Sequence, residues 1–581
     1  VTVFESYSPL LIDAIPDSVT SDWDVSRLFL FWKFVLGGVI LGFGGPWLRM
    51  VNWALTVAIF NSCHLLEYHM FYVWTSVSFV SIFASLNRVW SVDNIIRSAG
   101  EARISGYQFT RTKFVANFDF FLILFFGAGV VYFDSVLFKL ADEGWKNGLG
   151  LWRPANIPSF AFRSELIGFI PELVWKLLGY GCLAFELLFL LFLPMSLRFA
   201  TFGKLVAVIG ITMHLGIWFI FPIPQFAFGF VSFFVLLLPF SMKRKLNSVY
   251  VFYFDSECPF CCQTATLIHA LDWLRLIELR SVQSLGDNEI EELEISRAEL
   301  LVNIHGSWKR KGSKLQSGIN VYQKVTCLMP VTLIIGFIIH LPGISHLGQR
   351  VYEYIARERE LRRCDFESCS IPKNSSVKEE NHPLVPGFGR KKTINLLRAM
   401  LLLALCLIQV SESSNNGIAQ KLTQRFSMLN GFAEKLSSFA TPYLGITDHT
   451  VFIEQHYHEL SYGFFKFKDK NGGVKYWPYD PEKCELTDEI HNSIWALWSF
   501  RIDHSIMRSD FDEFWLTRTL AWQLKNFPDA VNVVYYTVDF RTPSLIYDEN
   551  LREDYCKMEW LESIDFSEKL DQMRGMEQET P

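Results

Sequence analysis

The chain has 581 residues, half of them hydrophobic, with 53 Phe and 18 Trp and a positive mean hydropathy, which excludes a purely soluble multidomain protein and predicts an integral membrane protein with soluble appendages. A formal net charge of -6, with no long Lys/Arg block, excludes a nucleic-acid footprint. The 11 cysteines are too sparse for a disulfide scaffold, so each is read on its own.

The chain opens on Val1 with an acidic stretch that has neither the basic nor the apolar region of a signal peptide. Residues 1–26 are read as an exoplasmic N-terminal segment, with an upstream part expected to be missing or processed. A spanning helix needs roughly 20 apolar residues. Candidates lie near 27–45, 46–62, 65–86, 117–138, 172–194, 202–221 and 224–240, giving a helical membrane bundle over 27–240. A further candidate stands alone at 394–410, after a polar linker at 364–393. The run "CLMPVTLIIGFIIHLPG" at 327–343 carries two prolines and is read as a buried or interfacial helix.

Lys and Arg concentrate in the loop 87–116, the turn 195–204, the exit "SMKRK" and the run "GRKK". All four fall on one side if residue 1 lies outside, so that side is predicted to be cytoplasmic. It holds residues 248–363, and the opposite side, periplasm or lumen, receives 411–581.

Ionisable residues inside spans are costly and are functional candidates. Here they are Glu67 and His69 in the third segment, Asp119, Asp134 and Lys139 in the fourth, Glu186 in the fifth and His214 in the sixth. Lys139 and His69 are expected at the outer end of the bundle. A lysine in a poorly hydrated pocket loses its proton more readily and serves as a base. Against this, Lys139 can snorkel beside Trp145, His69 can be a satisfied core residue, and Asp134 and Glu186 can pair with basic groups. A buried Lys139 with no carboxylate partner favours catalysis; one turned to headgroups, or tied to Asp134, favours a scaffold.

The segment 248–363 opens with the strand "VYVFYFD", then "SECPFCC" and a helical pattern, the start of a thioredoxin-like α/β unit. A thiolate at a helix N-terminus is stabilised by unpaired N–H groups, so Cys258 is predicted to attack and Cys261 to resolve. Pro259 pre-sets the first turn, and Asp255 takes a proton from the second thiol or caps the helix. The alternatives are a pair of structural thiols, or a zinc site completed by Cys364 and Cys369.

Residues 411–581 read as an exoplasmic, β-rich α+β domain. "TVFIEQH", "YGFFKFKDKNGGVKYWPY" with a turn at Asn471-Gly472, and "AVNVVYYTVDF" have strand character; "IHNSIWALWSFRI" and "DEFWLTRTLAWQLKNF" have helical periodicity. Cys484 and Cys556 are a disulfide candidate in an oxidising compartment. His449, His456 and His458 lie near acidic residues, but aligned histidines on an exposed strand read as a solvated surface, and no metal site is assigned.

The pattern D-x-x-C-x-x-C after a strand, with "LDWLRLIELRSV" and the closing "LPGISHLGQRVYEYIARERELRRC", resembles the DCC-type thiol-disulfide oxidoreductase-like family over roughly 248–364. Ser256 stands where that family usually has Gly, and Cys262 is additional. "NRVWSVDNII", then "VYFDSVLFKLADEGWKNG", an intramembrane Glu and "MHLGIWFIFPIPQFAFGFVSFFVLLLPF", resembles the horizontally transferred transmembrane (HTTM) family, which includes the vitamin K-dependent gamma-carboxylase. That resemblance places Lys139 at the carboxylase's lysine base and His69 within one residue of its active-site histidine. Phe138 stands where the carboxylase has a second lysine.

These readings predict a polytopic helical membrane bundle with an inserted thioredoxin-like domain and a C-terminal α+β domain. The expected function is a membrane-bound enzyme. Lys139 and His69 abstract a proton from a substrate, Cys258 and Cys261 with Asp255 form a redox module, and Asp134, Glu186 and His214 support the bundle site. The resemblance implies a quinone, vitamin K-like, in the bundle and a membrane-adjacent protein substrate. The rival readings are a non-catalytic scaffold or subunit of a larger membrane assembly, and a dithiol-to-quinone electron relay. The partners expected are the bilayer and a thiol redox partner.

Overall fold

The structure, a computed structural model, describes residues 25–97, 117–238, 248–361, 388–412, 440–487 and 516–570, with short gaps inside these ranges. The apolar segments of the first part fold as helices: α1 Val25–Ile40, α2 Gly45–Ser62, α3 His69–Phe83, α4 Asn117–Leu124, α5 Val130–Ala141, α6 Glu172–Arg198, α7 Ala200–Ile220 and α8 Pro224–Val235. A π-helical turn, Phe125–Gly129, joins α4 to α5. Among the described residues, Asp119–Ala141, Glu172–Arg198 and Thr201–Ile220 are long and apolar enough to cross a membrane. The fourth, fifth and sixth of the eight expected spans are thus matched by helices of spanning length, while the other expected spans, at α1, α2, α3, α8 and the helix Phe388–Glu412, lie beside residues outside the described set.

Local chemistry explains several of these boundaries. Gly42, Gly44 and Gly45 have positive φ and break α1 from α2. The carboxylate of Asp93 accepts the N–H groups of Gly44 at 3.1 Å and Gly45 at 2.9 Å, satisfying donors that the start of α2 leaves open. In the π turn, a Cβ on Gly127 would lie 2.5 Å from the ring of Phe233, so the missing side chain lets α8 approach.

The isolated apolar segment is part of α13, Phe388–Glu412, and it does not stand alone. Arg398 makes an ion pair with Asp119 at 3.3 Å, and Leu405 and Ile408 share a core with Val80, Leu122, Phe126 and Val130. The chain after α13 returns to the same helices. Trp53 Nε1 donates to the Tyr443 carbonyl at 2.8 Å, and Gln409 Nε2 donates to the Thr447 carbonyl at 2.8 Å.

The inserted domain has a four-stranded sheet in the order β2-β1-β3-β4, built from β1 Tyr250–Phe254, β2 Ile277–Ser281, β3 His305–Trp308 and β4 Gln316–Ser317. β1 runs parallel to β2 and antiparallel to β3, and α9, Pro259–Leu271, makes the crossover. Every residue of β1 is buried, because Phe252 faces α9 while Val251 and Tyr253 face a second core with Val282 and Leu300. A strand covered on both faces reads as a continuous apolar run. The expected single helix at 327–343 is instead a bend. α10, Ile319–Leu328, and α11, Leu333–Ile339, meet at a 113° break around Pro330, and α12 follows at Pro342–Leu361.

In the last part, β5 Glu459–Asp469, β6 Val474–Trp477, β7 Ala530–Arg541 and β8 Trp560–Asp565 form an antiparallel sheet in the order β8-β7-β5-β6. Asp469 Oδ1 accepts the N–H groups of Asn471 and Gly473, both at 2.8 Å, which closes the β5–β6 hairpin. The segment "TVFIEQH" and most of the two expected helices before β7 lie outside the described residues. Buried aromatics of this sheet join the core of the bundle. Trp152 packs on Tyr547 with ring centroids 5.2 Å apart.

Gly445 fixes how the chain after α13 meets α3. Its φ is +64°, and a Cβ there would lie 2.1 Å from the Tyr72 carbonyl oxygen and 2.8 Å from the Ser76 nitrogen. Gly445→Ala should destabilise the chain by about 2–3 kcal/mol or more, seen as a fall in thermal midpoint in detergent. Gly472→Ala, at φ +84° with nothing within 4 Å, should cost only the backbone strain. Equal losses at the two positions would refute the steric account.

Candidate functional site

The dithiol sits where β1 ends and α9 begins. Cys258 is the N-cap of α9, Pro259 occupies the first turn, and Cys258 Sγ accepts the N–H of Cys261 at 3.4 Å. The sulfur therefore occupies the place of a capping oxygen, where the open N–H groups and the dipole of the helix favour negative charge. Cys258 and Cys261 are buried thiols, 5% and 0% exposed, with the exposed Phe260 between them.

The helix cap is thus Cys258 and not Asp255. The carboxylate of Asp255 accepts the N–H of Glu257 at 3.0 Å and the amide of Gln283 at 2.6 Å. Gln283 Oε1 in turn accepts from the backbone and hydroxyl of Ser256 at 3.0 and 2.9 Å. Gln283, which follows β2, holds the loop before the dithiol from below; no motif in the sequence singles it out. Ser256 supplies a hydroxyl to this network where a glycine would supply none. The Cys262 thiol donates to the Ser256 carbonyl at 3.3 Å. Burial, with Cys258 and Asp255 nearby, pushes it up to about 12, so it is a packed thiol. Cys364 and Cys369, the alternative zinc ligands, lie outside the described residues, and among those residues no three metal-ligating side chains converge.

A second polar cluster lies inside the bundle. Lys139 donates to both oxygens of Glu186 at 2.7 Å, and the two side chains are 3% and 7% exposed. Lys139 Nζ also sits 4.6 Å from the centroid of Trp145. Cys182 Sγ lies 3.5 Å from Glu186 Oε1, and the Tyr132 hydroxyl is 2.5 Å from His214 Nε2. Tyr132, Ser135, Lys139, Cys182, Glu186 and His214 line a cavity of about 20 Å³, room for about one water. Tyr132, Ser135 and Lys139 recur at i, i+3 and i+7, and Cys182 and Glu186 at i and i+4; helical spacing from Lys139 and Glu186 was the signal for these partners. Lys139 therefore neither turns to headgroups nor pairs with Asp134. It is buried against a carboxylate from the neighbouring helix.

His69 is not among the residues lining that cavity. Its ring lies 6.2 Å from the ring of His449, whose backbone N–H donates a short hydrogen bond to the fully buried Asp134. Burial, followed by the neighbouring His69, lowers His449 to about 3, so that imidazole is neutral. The expected Lys139/His69 site is thus two clusters on different faces of α5. Glu67, His456 and His458 lie outside the described residues. Cys484 and Cys556 form a disulfide.

Residues 252–364 match the family model of the DCC1-like thiol-disulfide oxidoreductases. The match covers about a fifth of the chain, so the chain contains a DCC1-like domain. No curated protein and no solved structure matches it.

Two outcomes follow from this geometry. Glu186→Gln leaves a buried ammonium without its carboxylate and should lower stability by about 3–5 kcal/mol. The double variant Lys139→Met/Glu186→Gln should regain much of that loss in thermal unfolding; simple additivity of the two single losses would show that the pair is not coupled. In the folded chain at pH 8, iodoacetamide should modify Cys258 and spare Cys262, read by mass spectrometry. Equal labelling would contradict the assignment of Cys262 as a packed, protonated thiol.

Proposed function

We propose that the chain is a membrane-anchored thiol–disulfide oxidoreductase whose working pair is Cys258 and Cys261. One observation carries this reading: Cys258 Sγ takes the capping position of α9 one turn from Cys261, inside the matched domain. The Cys258 thiolate attacks one sulfur of a partner disulfide, forming a mixed disulfide and releasing the first partner thiolate. Cys261, as its thiolate, then attacks Cys258 Sγ. That breaks the mixed disulfide, releases the second partner thiolate and leaves Cys258–Cys261 oxidised. Two electrons pass to the partner, and the protons given up by the dithiol are taken by the thiolates it releases. Asp255 and Gln283 position the loop that carries Cys258.

The bundle supports a second reading, in which an HTTM-like site uses Lys139 as its base. The Lys139–Glu186 pair departs from the lysine without a carboxylate partner expected of a catalytic site, and the support comes from Ser135 Oγ and His214 Nδ1. Both are buried at the cavity and have no hydrogen-bond partner among the described residues. Such a site has the polar groups for proton transfer, with Glu186 rather than His69 beside the lysine. A quinone is far larger than 20 Å³ and requires the helices around α5 to part. In the electron-relay version of the proposal, the dithiol reduces such a quinone; in the scaffold version, the bundle only anchors the redox domain. The Cys484–Cys556 disulfide supports an exoplasmic place for the C-terminal domain, and the three thiols at 258–262 support a reducing, cytoplasmic place for the inserted one.

The redox reading is tested on the full chain in detergent. In a glutathione redox series, the wild type should interconvert between dithiol and disulfide at Cys258/Cys261, read by mass-tagged alkylation. Cys261→Ser should accumulate a mixed disulfide at Cys258 that the wild type resolves at least tenfold faster. If Cys258 forms neither species across the series, the pair is structural and the proposal fails.

A further inference from the structure

The matched domain carries a surface that its redox chemistry does not use. α11, the turn after it and the first half of α12 present Ile334, Ile335, Phe337, Leu341, Leu347 and Val351 to the outside, each 50% exposed or more, with Ile334 at 75%. The chain from Val325 to Gln349 contains no Asp, Glu, Lys or Arg, and it is bracketed by Lys324 and Arg350. Contiguous apolar exposure of this kind marks a binding face. We infer that this bent helical hairpin is a membrane-docking element that seats α11 and the start of α12 in the apolar layer of the bilayer.

Three observations favour lipid over a protein partner. The first is the treatment of the bend. Gln323 Nε2 donates to the Ile339 carbonyl and to Ser345 Oγ, both at 3.0 Å. Thr332 Oγ1 donates to the Thr326 carbonyl at 2.9 Å, and His340 Nδ1 lies 2.7 Å from the Gly336 carbonyl. The breaks between α10, α11 and α12 free backbone groups, and the hairpin's own side chains answer them. Where water cannot follow, that is a requirement; at a protein interface the partner or trapped water can meet it. The second is composition. α10 and the following helix to Ile339 together pass as an apolar span broken by 113°, while the flanking Lys324 and Arg350 suit the headgroup layer. α11 has seven residues, about 10 Å of helix, which matches an element lying in the interface and not crossing it. The third is tethering. The domain begins at Tyr250, shortly after α8 ends at Val235, and α13 follows it, packed on α4 through Arg398 and Asp119. Membrane-associated helices thus hold the domain at both ends, and a bilayer is always within reach of the exposed face.

Docking has a consequence for the dithiol. α11 and α12 also wall a groove of about 420 Å³ whose lining includes Phe260, which lies between the two cysteines beside Pro259. Seating the hairpin brings the mouth of that groove, and the start of α9, to the membrane surface. The inference stands whether or not the dithiol is redox-active.

The test uses the full chain in phosphatidylcholine vesicles doped with a phospholipid that carries a diazirine in its acyl chain. After illumination, mass spectrometry should find adducts on the peptide spanning 331–347 within about threefold of those on the exposed Leu187 and Leu191 of α6. The double variant Ile334→Asp/Phe337→Asp should lower adducts on 331–347 at least tenfold and leave those on α6 unchanged. Wild-type labelling decides the question if the variant does not fold. Adducts on 331–347 no higher than on the polar hairpin 469–474 would overturn the inference. So would crosslinks between copies of the chain through 331–347 in place of lipid adducts, which would assign the face to a second copy.

Discussion

A charge placed among apolar helices has to be answered inside them, and this constraint organises the membrane part. Taking an ammonium or carboxylate out of water costs several kcal/mol even after relaxation, and only a close, hydrogen-bonded partner offsets it. Lys139 is answered by Glu186 through two contacts at 2.7 Å, Asp119 by Arg398, and Asp134 by the N–H of His449. Each partner comes from a different element, in the last case 315 residues away in sequence. Hydrophobic burial is non-directional and leaves a helix free to rotate on its neighbour. A single acceptor such as Asp119 does not, and it selects the face that α13 presents. These polar contacts therefore set the register of the bundle, and the chain after α13 is drawn back onto α3 and α5 by the same means.

The dithiol follows the opposite logic. The stabilising field at Cys258 comes from the backbone of α9, whose first N–H groups the sulfur helps to satisfy. Such a site needs a rigid approach from the strand to the helix, and the hydrogen bonds from Asp255 through Gln283 to Ser256 provide it. Cys262 shows how much position matters. One residue beyond Cys261, its thiol turns inward, donates to the Ser256 carbonyl and is held protonated by burial, while Cys258 caps the helix. Three cysteines within five residues thus divide into a capping pair and a packing residue.

The opening of the DCC1-like domain was legible because its signals are local: a buried strand, proline at the first turn of a helix, and two cysteines at fixed spacing. The hairpin at Asn471-Gly472 was legible for the same reason. Helix positions in the bundle were also visible as apolar runs, and the boundary expected between 45 and 46 falls at Gly42 to Gly45, whose positive φ values part α1 from α2. Long-range pairing was the least legible feature. Glu186 was read as a supporting residue and His69 as the partner of Lys139, because sequence distance says nothing of which face of α5 each side chain meets. Tyr132 and Cys182 follow from helical spacing once Lys139 and Glu186 are paired, and not before. Gln283 has no sequence signal at all.

The pairing of Lys139 with Glu186 also restricts what the bundle can do. A lysine already bonded to a carboxylate is not a free base, and a substrate proton cannot be taken by an ammonium. The pair has zero net charge both as ammonium with carboxylate and as amine with carboxylic acid, so moving one proton between the two atoms, 2.7 Å apart, leaves no net charge in the low-dielectric interior. In the second form the amine is a base and the acid stores its proton. Cys182 and the Tyr132–His214 pair border the same cavity, so a proton accepted by the amine has further polar groups within a short relay. The base chemistry proposed for the bundle therefore rests on the Lys139–Glu186 pair as a unit. A variant that keeps the lysine but removes the carboxylate loses the proton acceptor along with the counter-ion.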